Sequence, residues 1–187
     1  LRAQKKTADS ILAAHKALDG LDLGVQERHL RRIASLITEM QAAIDALRAN
    51  GVKNLGIVLN LEKAEPASDK PEDIAAADFG DAVFNRWYLG GVLKGQYPER
   101  VTEWLADYLP ANYQDDMAVV SRPLDWLGIN YYTRGLYQAS SKPGVPAEQV
   151  KGPLEQTDIG WEIYPQGLSD LLVRVSNDYT KLPLYVT

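Results

Sequence analysis

Cysteine is absent from the 187 residues, and histidine occurs at two positions, His15 and His29. The absence of cysteine excludes disulfide bonds, thiolate metal ligands and a thiol nucleophile. Zinc sites and Ser-His-Asp triads need histidine at suitable spacings, and no such spacing is identifiable. Metal or triad chemistry therefore has few residues available in this sequence.

Long apolar runs and basic clusters are also missing. No uninterrupted apolar stretch could span a membrane, and the first ten residues lack the apolar core of a signal peptide. The 20 Lys and Arg against 25 Asp and Glu give a net charge of -5, which argues against nucleic acid or an anionic membrane as partner. With 45% apolar residues, we expect a soluble, cytoplasmic globular protein.

The first fifty residues predict a helical hairpin. In its second half, apolar residues recur at alternating steps of three and four and form one stripe along a long helix. The stripe consists of Leu30, Ile33, Ile37, Met40, Ile44 and Leu47. "DGLDLG" separates the two helices, and Gly51 is suited to a left-handed C-cap. We predict two domains, a helical hairpin at 1–50 and an α/β domain at 51–187.

The second domain alternates nearly continuous apolar runs with helical patterns. The runs are "LGIVLN" (55–60), "DWLGINYYT" (125–133) and "LPLYVT" (182–187). Such runs are typical of parallel strands covered on both faces, and with intervening helices they predict right-handed βαβ units. Residues 134–160 are rich in Gly, Pro, Ser and Gln, which predicts a long loop.

The segments between the strands have helical composition. "SDKPEDIAAAD" places Pro71 and two acids in a first turn, and we predict that this helix breaks near Gly90 and Gly91. A short helix is predicted for "YPERVTEWLADYLP" and a longer one for "PQGLSDLLVRVSNDYT".

Seven motifs occur in this order along the chain: "GIVLN", "PASDKPEDIAAAD", "NRWYL", "KGQYPE", "PLDWLGINYYTR", "TDIGWEIYPQGLSDLL" and "LPLYVT". Taken together, they resemble the second half of the family 1 β-glucosidases, which are retaining glycosidases built on a (β/α)8 barrel. The resemblance runs from about Leu47 to Thr187 and matches the three apolar runs to barrel strands five, six and seven. It implies an α/β fold, a partial TIM barrel of about three parallel strands in the order 5-6-7 with flanking helices.

The resemblance also implies that neither family glutamate is among these residues. Family members continue the strand-seven motif with Glu-Asn-Gly, whose glutamate is the nucleophile, whereas this sequence reaches the preceding Thr187. The acid/base glutamate belongs to an Asn-Glu-Pro motif, which does not occur here. Because retaining hydrolysis needs two carboxyl groups about 5 Å apart, we expect no appreciable activity from this chain alone.

Three polar residues remain as candidates for the sugar site. Side chains alternate between strand faces, which groups Gly128, Asn130 and Tyr132 and places Asn60 and Val186 on the barrel interior. By resemblance, Tyr132 matches the tyrosine that hydrogen-bonds the nucleophile, and Asn60 and Asn130 match residues that line the sugar site. The alternative is that all three are strand-end residues satisfied by neighbours or water.

The segment "TDIGWEIYP" belongs to the same resemblance. Its Trp161, Glu162 and Tyr164 match a "GWE(I/V)YP" pattern of the family. We expect these side chains mainly to pack the loop before the next helix.

The N-terminal part departs from the family. The helix before strand five normally carries an "HHxLLAHG" pattern, whereas this sequence has "SLITEMQAAIDALRANG". A regular helical hairpin joined to part of a barrel that matches the family suggests an engineered or designed chain. Three strands cut from eight would expose an apolar face and two edges, so we expect the hairpin stripe to cover the former barrel interior. The alternatives are that a second copy of this chain, in a homodimer, or a complementary chain covers this face.

A site for haem or another planar ligand is a further hypothesis. Tyr97 lies close in sequence to Lys94 and Arg100, and a tyrosinate stabilised by nearby cations can be an axial haem ligand. Gly90 and Gly91 could make room for a flat macrocycle, and either histidine could serve as ligand instead. Ordinary packing of the tyrosine is the competing interpretation.

Overall fold

The computed structural model describes residues 39, 42–109 and 112–187. Most of the predicted helical hairpin, including both histidines, lies outside the described residues. Within them, residues 42–49 are helical. No helix in the described ranges is long and apolar enough to cross a membrane.

Strands and helices alternate along the described chain. The elements are β1 (Gly56–Asn60), β2 (Lys63–Pro66), α1 (Pro71–Asp81), α2 (Trp87–Lys94), α3 (Glu99–Trp104), α4 (Met117–Val120), β3 (Trp126–Asn130), β4 (Arg134–Ala139), β5 (Ala147–Val150), α5 (Pro165–Arg174) and β6 (Leu184–Val186). Two π-helical segments, Ala82–Arg86 and Val175–Tyr179, follow α1 and α5, and a 3-10 turn, Tyr113–Asp116, precedes α4.

Helix α1 begins where its sequence predicts. Pro71 occupies the start of the helix, with Glu72 and Asp73 in the first turn, where a missing N–H costs nothing and negative charge is favourable. The helix passes without a break through the π-helical segment into α2.

The helix break predicted at Gly90 and Gly91 is wrong. Both glycines are buried inside α2, which ends at Gly95, a residue in the left-handed conformation with φ of 66°. A Cβ atom on Gly91 would lie 2.8 Å from the ring of Tyr97, and one on Gly90 would lie 2.6 Å from the carbonyl oxygen of Gln96. The two glycines therefore let the following segment pack closely on the helix.

A three-stranded parallel sheet in the order β1-β3-β6 forms the centre of the fold. This order confirms the prediction from the sequence. In the described part of the chain the sheet does not close, and β1 and β6 are its edges. The fold is thus an α/β partial barrel.

One face of this sheet carries the main hydrophobic core. Leu127 and Ile129 are fully buried, and Ile57 and Leu59 are nearly so. They pack with side chains of the helical segments, among them Leu89, Val92, Leu171 and Val175. Burying one side chain of this kind contributes about 1.5–3 kcal/mol, so this face supplies much of the stability of the fold.

The described end of the N-terminal helix lies on the same, helix-covered face. Ile44 is buried in the core cluster that contains Ile57 and Leu127. Arg48 donates a 2.5 Å hydrogen bond from Nη1 to the carbonyl oxygen of Pro123, just before β3. For these residues, the expectation that the helix covers the former barrel interior is wrong, because the buried end of the stripe packs on the outward-facing side chains of the sheet.

The opposite face of the sheet is open within the described residues. Val58 is 40% exposed and Tyr185 is 55% exposed, and the strand register aligns both with Gly128. The same register aligns Val186 with Ile129, whose side chain faces the helices. The placement of Val186 on the barrel interior is therefore wrong, because β6 is offset by one residue from the simple count.

The long loop predicted for residues 134–160 contains two strands. Strand β4 pairs in parallel with β2 and antiparallel with β5, which makes a second three-stranded sheet. This sheet packs on α1, where Ala76 and Ala77 contact the ring of Tyr137. The small side chains of α1 allow this close approach, which the polar composition of the segment did not indicate.

Candidate functional site

Asn60 and Asn130 are register partners at the carboxyl ends of the adjacent parallel strands β1 and β3. Both side chains are half-buried. In barrel enzymes, the carboxyl ends of the strands are the edge where catalytic and binding residues are found. The structure therefore brings together two of the three candidate sugar-site residues at the edge where such a site is expected.

Thr187, the residue after β6, contacts Asn130 of this pair. Its Oγ1 donates a 2.6 Å hydrogen bond to Asn130 Oδ1, and its backbone N–H donates to the Ile129 carbonyl oxygen at 3.1 Å. With Oδ1 engaged in this way, the amide NH2 of Asn130 is the group that can donate to a ligand.

Tyr132, the third candidate, lies two residues beyond Asn130 and forms an aromatic pair with Trp161. The ring centroids are 5.0 Å apart and the planes are inclined by 32°, a separation at which aromatic rings attract each other. Tyr132 is 47% exposed and Trp161 is 36% exposed. The two rings thus form a partly open aromatic surface close to the paired asparagines.

An ion-pair cluster involves residues close in sequence to these two aromatic residues. Arg134 donates from Nε to Glu162 Oε2 at 2.6 Å and from Nη1 to Glu65 Oε2 at 2.7 Å. Its guanidinium also lies over the ring of Tyr164, 4.8 Å from the centroid. Glu162 is 6% exposed and also accepts a 2.7 Å hydrogen bond from the Leu154 N–H. One arginine therefore joins β2, β4 and the segment before α5.

The pKa shifts in this cluster have local causes. Hydrogen bonds from Arg134 lower the pKa of Glu162, against a smaller effect of burial. The hydrogen bond to Glu65 raises the pKa of Tyr164, whose hydroxyl donates to Glu65 Oε1 at 3.0 Å. Both shifts favour the charged pair and the neutral phenol that the geometry requires.

A second polar cluster lies under the other sheet, centred on Glu62, which is 5% exposed. Tyr137 donates a 2.5 Å hydrogen bond to Glu62 Oε1, and Gln149 donates to both carboxylate oxygens at 3.0 and 3.2 Å. Asn85 Oδ1 accepts from the Glu62 N–H at 3.0 Å. Burial is the main reason that the pKa of Tyr137 is raised, and the nearby carboxylate adds to it.

The sequence interpretation did not single out Glu62, Glu65 or Arg134. A usable signal was present, since "NLEKAEP" follows β1 and "YYTR" follows β3 at the same sheet edge. Acidic and basic residues in corresponding positions after neighbouring strands can pair, and this pattern predicts a charged cluster there.

Tyr97, proposed from the sequence as a haem ligand, lies in an aromatic stack. Its ring is parallel to that of Trp87, with centroids 3.8 Å apart and planes at 2°. Lys94 is exposed, and Arg100 pairs with Asp78. Burial is the main cause that raises the pKa of Tyr97, so tyrosinate is disfavoured. The surroundings of the Tyr97 phenol therefore differ from the cation-stabilised tyrosinate that the haem hypothesis assumed.

The described part of the chain contains no group of three or more His, Asp or Glu side chains arranged to hold a metal ion. The carboxylates with the clearest partners, Glu162 and Asp81, are engaged by Arg134 and Arg174.

The open sheet, its flanking helices and the polar residues at the strand ends define part of a glycosidase-type barrel. The sequence matches Glycosyl hydrolase family 1 over residues 29–187, and the chain belongs to this family. The match begins at residue 29, so it includes much of the segment predicted to be a non-family hairpin. The argument for a foreign or designed helix therefore does not apply from residue 29 onwards.

Individual relatives give the same assignment. The chain is 41% identical to Beta-glucosidase A of Acetivibrio thermocellus over 132 residues, which are 68% of this chain and 30% of that protein. It is 35% identical to Beta-glucosidase A of Thermotoga maritima over 161 residues, which are 84% of this chain and 36% of that protein. The chain thus spans about a third of the length of these curated relatives.

A solved structure shows the same fold. The family 1 glycoside hydrolase of Thermotoga maritima, complexed with a cyclophellitol analogue described as a transition-state mimic, superposes with a TM-score of 0.77 at 35% identity. The superposition covers 91% of this chain and 38% of that chain.

Proposed function

We propose that this chain supplies barrel strands five to seven of a retaining β-glucosidase, and that hydrolysis of β-glucosides is the activity of the complete barrel. The observation that carries this proposal is the alignment of Asn60 with Asn130 at the carboxyl edge of the parallel sheet, beside Thr187. Amide groups at that edge can donate to and accept from the hydroxyl groups of a sugar. The two relatives named Beta-glucosidase A support the choice of β-glucoside as substrate.

Resemblance to the family gives Tyr132 a specific role. In the family, the residue that follows the strand-seven motif is the nucleophilic glutamate, and Tyr132 matches the tyrosine that hydrogen-bonds it. The Tyr132 phenol would then donate a hydrogen bond to that carboxylate and hold it ionised and aimed at the anomeric carbon.

A second part of the proposal is that the 187 residues alone do not hydrolyse β-glucosides. They contain neither an Asn-Glu-Pro motif nor a Glu-Asn-Gly motif. A retaining mechanism needs one carboxyl group to protonate the leaving oxygen and a second to attack. We therefore expect these residues alone to support no hydrolysis, and a polypeptide carrying the remaining strands to restore it.

The test is reconstitution. The 187-residue chain is mixed with a second polypeptide that carries the other strands of a family 1 barrel and both glutamate motifs, and release of the aryl group from an aryl β-glucoside is followed. Native mass measurement establishes that the two chains assemble. We expect hydrolysis from the assembly and from neither chain alone.

Variants make this test specific for the site. Asn130→Ala should lower the rate about a hundredfold, as expected for loss of one well-placed hydrogen-bond donor. The matched control is Asn177→Ala, at an exposed position on the π-helical segment after α5, which should leave the rate unchanged. An assembly that forms but does not hydrolyse the glucoside would show that the proposed function is wrong.

A further inference from the structure

Four consecutive residues after β3 hold the segment that carries Trp161. The Tyr131 hydroxyl donates to the Tyr164 carbonyl oxygen at 2.7 Å, and Thr133 Oγ1 donates to the Glu162 carbonyl oxygen at 3.0 Å. Arg134 binds the Glu162 carboxylate, and Tyr132 contacts the indole ring.

The residues of this stretch make different kinds of contact with the segment that carries Trp161. The residues on either side of Tyr132 make hydrogen bonds to the backbone of the second segment, whereas Tyr132 packs its ring against the indole of Trp161. Tyr132 is 47% exposed, and the indole of Trp161 is the ring against which it packs.

We propose that Arg134 and Glu162 are positioning residues that act through Trp161. Their ion pair fixes the segment that carries Trp161, the indole then restrains the ring of Tyr132, and Tyr132 is thereby held in the orientation that the sugar site needs. This inference rests on the proposed function for its catalytic consequence, but the positioning itself is a property of this chain.

The ion pair is suited to such a role because it is shielded and has defined geometry. The side chains of Arg134 and Glu162 are 11% and 6% exposed. The planar guanidinium binds Glu162 through Nε and at the same time Glu65 through Nη1, which fixes its plane. A lysine carries the same charge but cannot make both contacts in this fork geometry.

The first test observes the indole directly. The chain contains four tryptophans, Trp87, Trp104, Trp126 and Trp161. Labelled with 5-fluorotryptophan, it should give four ¹⁹F resonances, and the Trp161 resonance is assigned by Trp161→Phe. Tyr132→Leu removes the ring that shields the indole and defines the direction of the shift.

Arg134→Lys should then move the Trp161 resonance in the same direction as Tyr132→Leu does, while the other three resonances stay in place. The matched control is Arg174→Lys, which weakens another two-contact pair, with Asp81, and should leave the Trp161 resonance unchanged. If Arg134→Lys does not fold, Glu162→Gln is measured by the same criterion. A Trp161 resonance that stays in place in the folded variant, or that moves equally in the control, overturns the inference.

The second test uses the reconstituted barrel described above. Arg134→Lys should lower kcat for an aryl β-glucoside about tenfold, since misorientation of a catalytic contact reduces the rate, and Arg174→Lys should not lower it. A Trp161 shift in a chain that never supports hydrolysis would refute the proposed function and leave the positioning intact. Hydrolysis by the wild-type assembly without a Trp161 shift in Arg134→Lys would refute the positioning and leave the function intact.

Discussion

Arg174 donates two hydrogen bonds to Asp81, from Nη1 to Oδ1 at 2.6 Å and from Nη2 to Oδ2 at 2.8 Å. The pair joins the end of α5 to the end of α1. Burial of Asp81 raises its pKa, but the hydrogen bonds from Arg174 and Asn85 outweigh this effect and the net pKa is lowered. An ion pair in which the Asp81 carboxylate remains ionised therefore links the two helices.

Removing this arginine should destabilise the fold. Arg174→Met leaves Asp81, which is 8% exposed, without its two-contact partner, and we expect the free energy of unfolding to fall by about 2–3 kcal/mol. Urea unfolding followed by circular dichroism measures the change. The matched control is Arg122→Met, because Arg122 pairs with Asp45 at 3.6 Å and its side chain is 48% exposed. The control should change stability by less than about 1 kcal/mol, and equal losses in both variants would contradict the prediction.

The Tyr137 hydroxyl should contribute measurably to stability. Tyr137→Phe removes the 2.5 Å hydrogen bond to the buried Glu62 carboxylate, and a buried polar group that loses a donor costs about 1–3 kcal/mol. Thermal and urea unfolding should both report the loss. Tyr185→Phe, at a side chain that is 55% exposed, should change stability by no more than about 0.5 kcal/mol. A Tyr137→Phe variant as stable as the wild type would show that the other partners of the Glu62 carboxylate satisfy it without the phenol.

The apolar periodicities of the sequence predicted the main sheet well. The runs at 55–60, 125–133 and 182–187 became β1, β3 and β6 in the predicted order, because nearly continuous apolar runs are typical of parallel strands buried on both faces, as in a closed barrel. The alignment of Asn60 with Asn130 also follows from two strands of the same length that end in asparagine.

Other features could not be read from local pattern. The strands β4 and β5 were missed because their residues are of mixed polarity, so neither an apolar residue at every second position nor an apolar run marks them in the sequence. The break predicted at Gly90 is absent because tertiary contacts override the low helix propensity of glycine. The ion pairs of Arg134 join residues far apart in the sequence, and only the folded sheet edge brings them together.

Acid should weaken the Arg134–Glu162 pair. The pKa of Glu162 is lowered in the folded chain, so the unfolded chain takes up the proton first as the pH falls. The stability from this pair is therefore present above the unfolded carboxyl pKa of about 4.3 and is lost as the pH falls through the lower folded value. We expect the free energy of unfolding to decrease over this acidic range.

Glu162→Gln isolates this contribution. The variant should be less stable than the wild type at neutral pH, and the difference should shrink on acidification, since the wild-type side chain then becomes neutral as well. Glu155→Gln, at an exposed position in the same segment, should follow the wild-type pH dependence. A Glu162→Gln variant whose deficit is constant from neutral to acidic pH would show that packing, rather than charge, explains the effect.

Tyr97 should contribute through its ring and not through its hydroxyl. Tyr97→Phe keeps the stack on Trp87, whose centroid is 3.8 Å away, so we expect little change in stability, whereas Tyr97→Ala should cost about 3–5 kcal/mol because it empties a large aromatic site. Urea unfolding of the two variants separates the two cases.

The haem hypothesis predicts instead that mixing haem with the wild type shifts the Soret band and that Tyr97→Phe abolishes the shift. Because burial opposes ionisation of this phenol, we expect the free-haem spectrum in both mixtures, and a shifted band specific to the wild type would establish ligation by Tyr97.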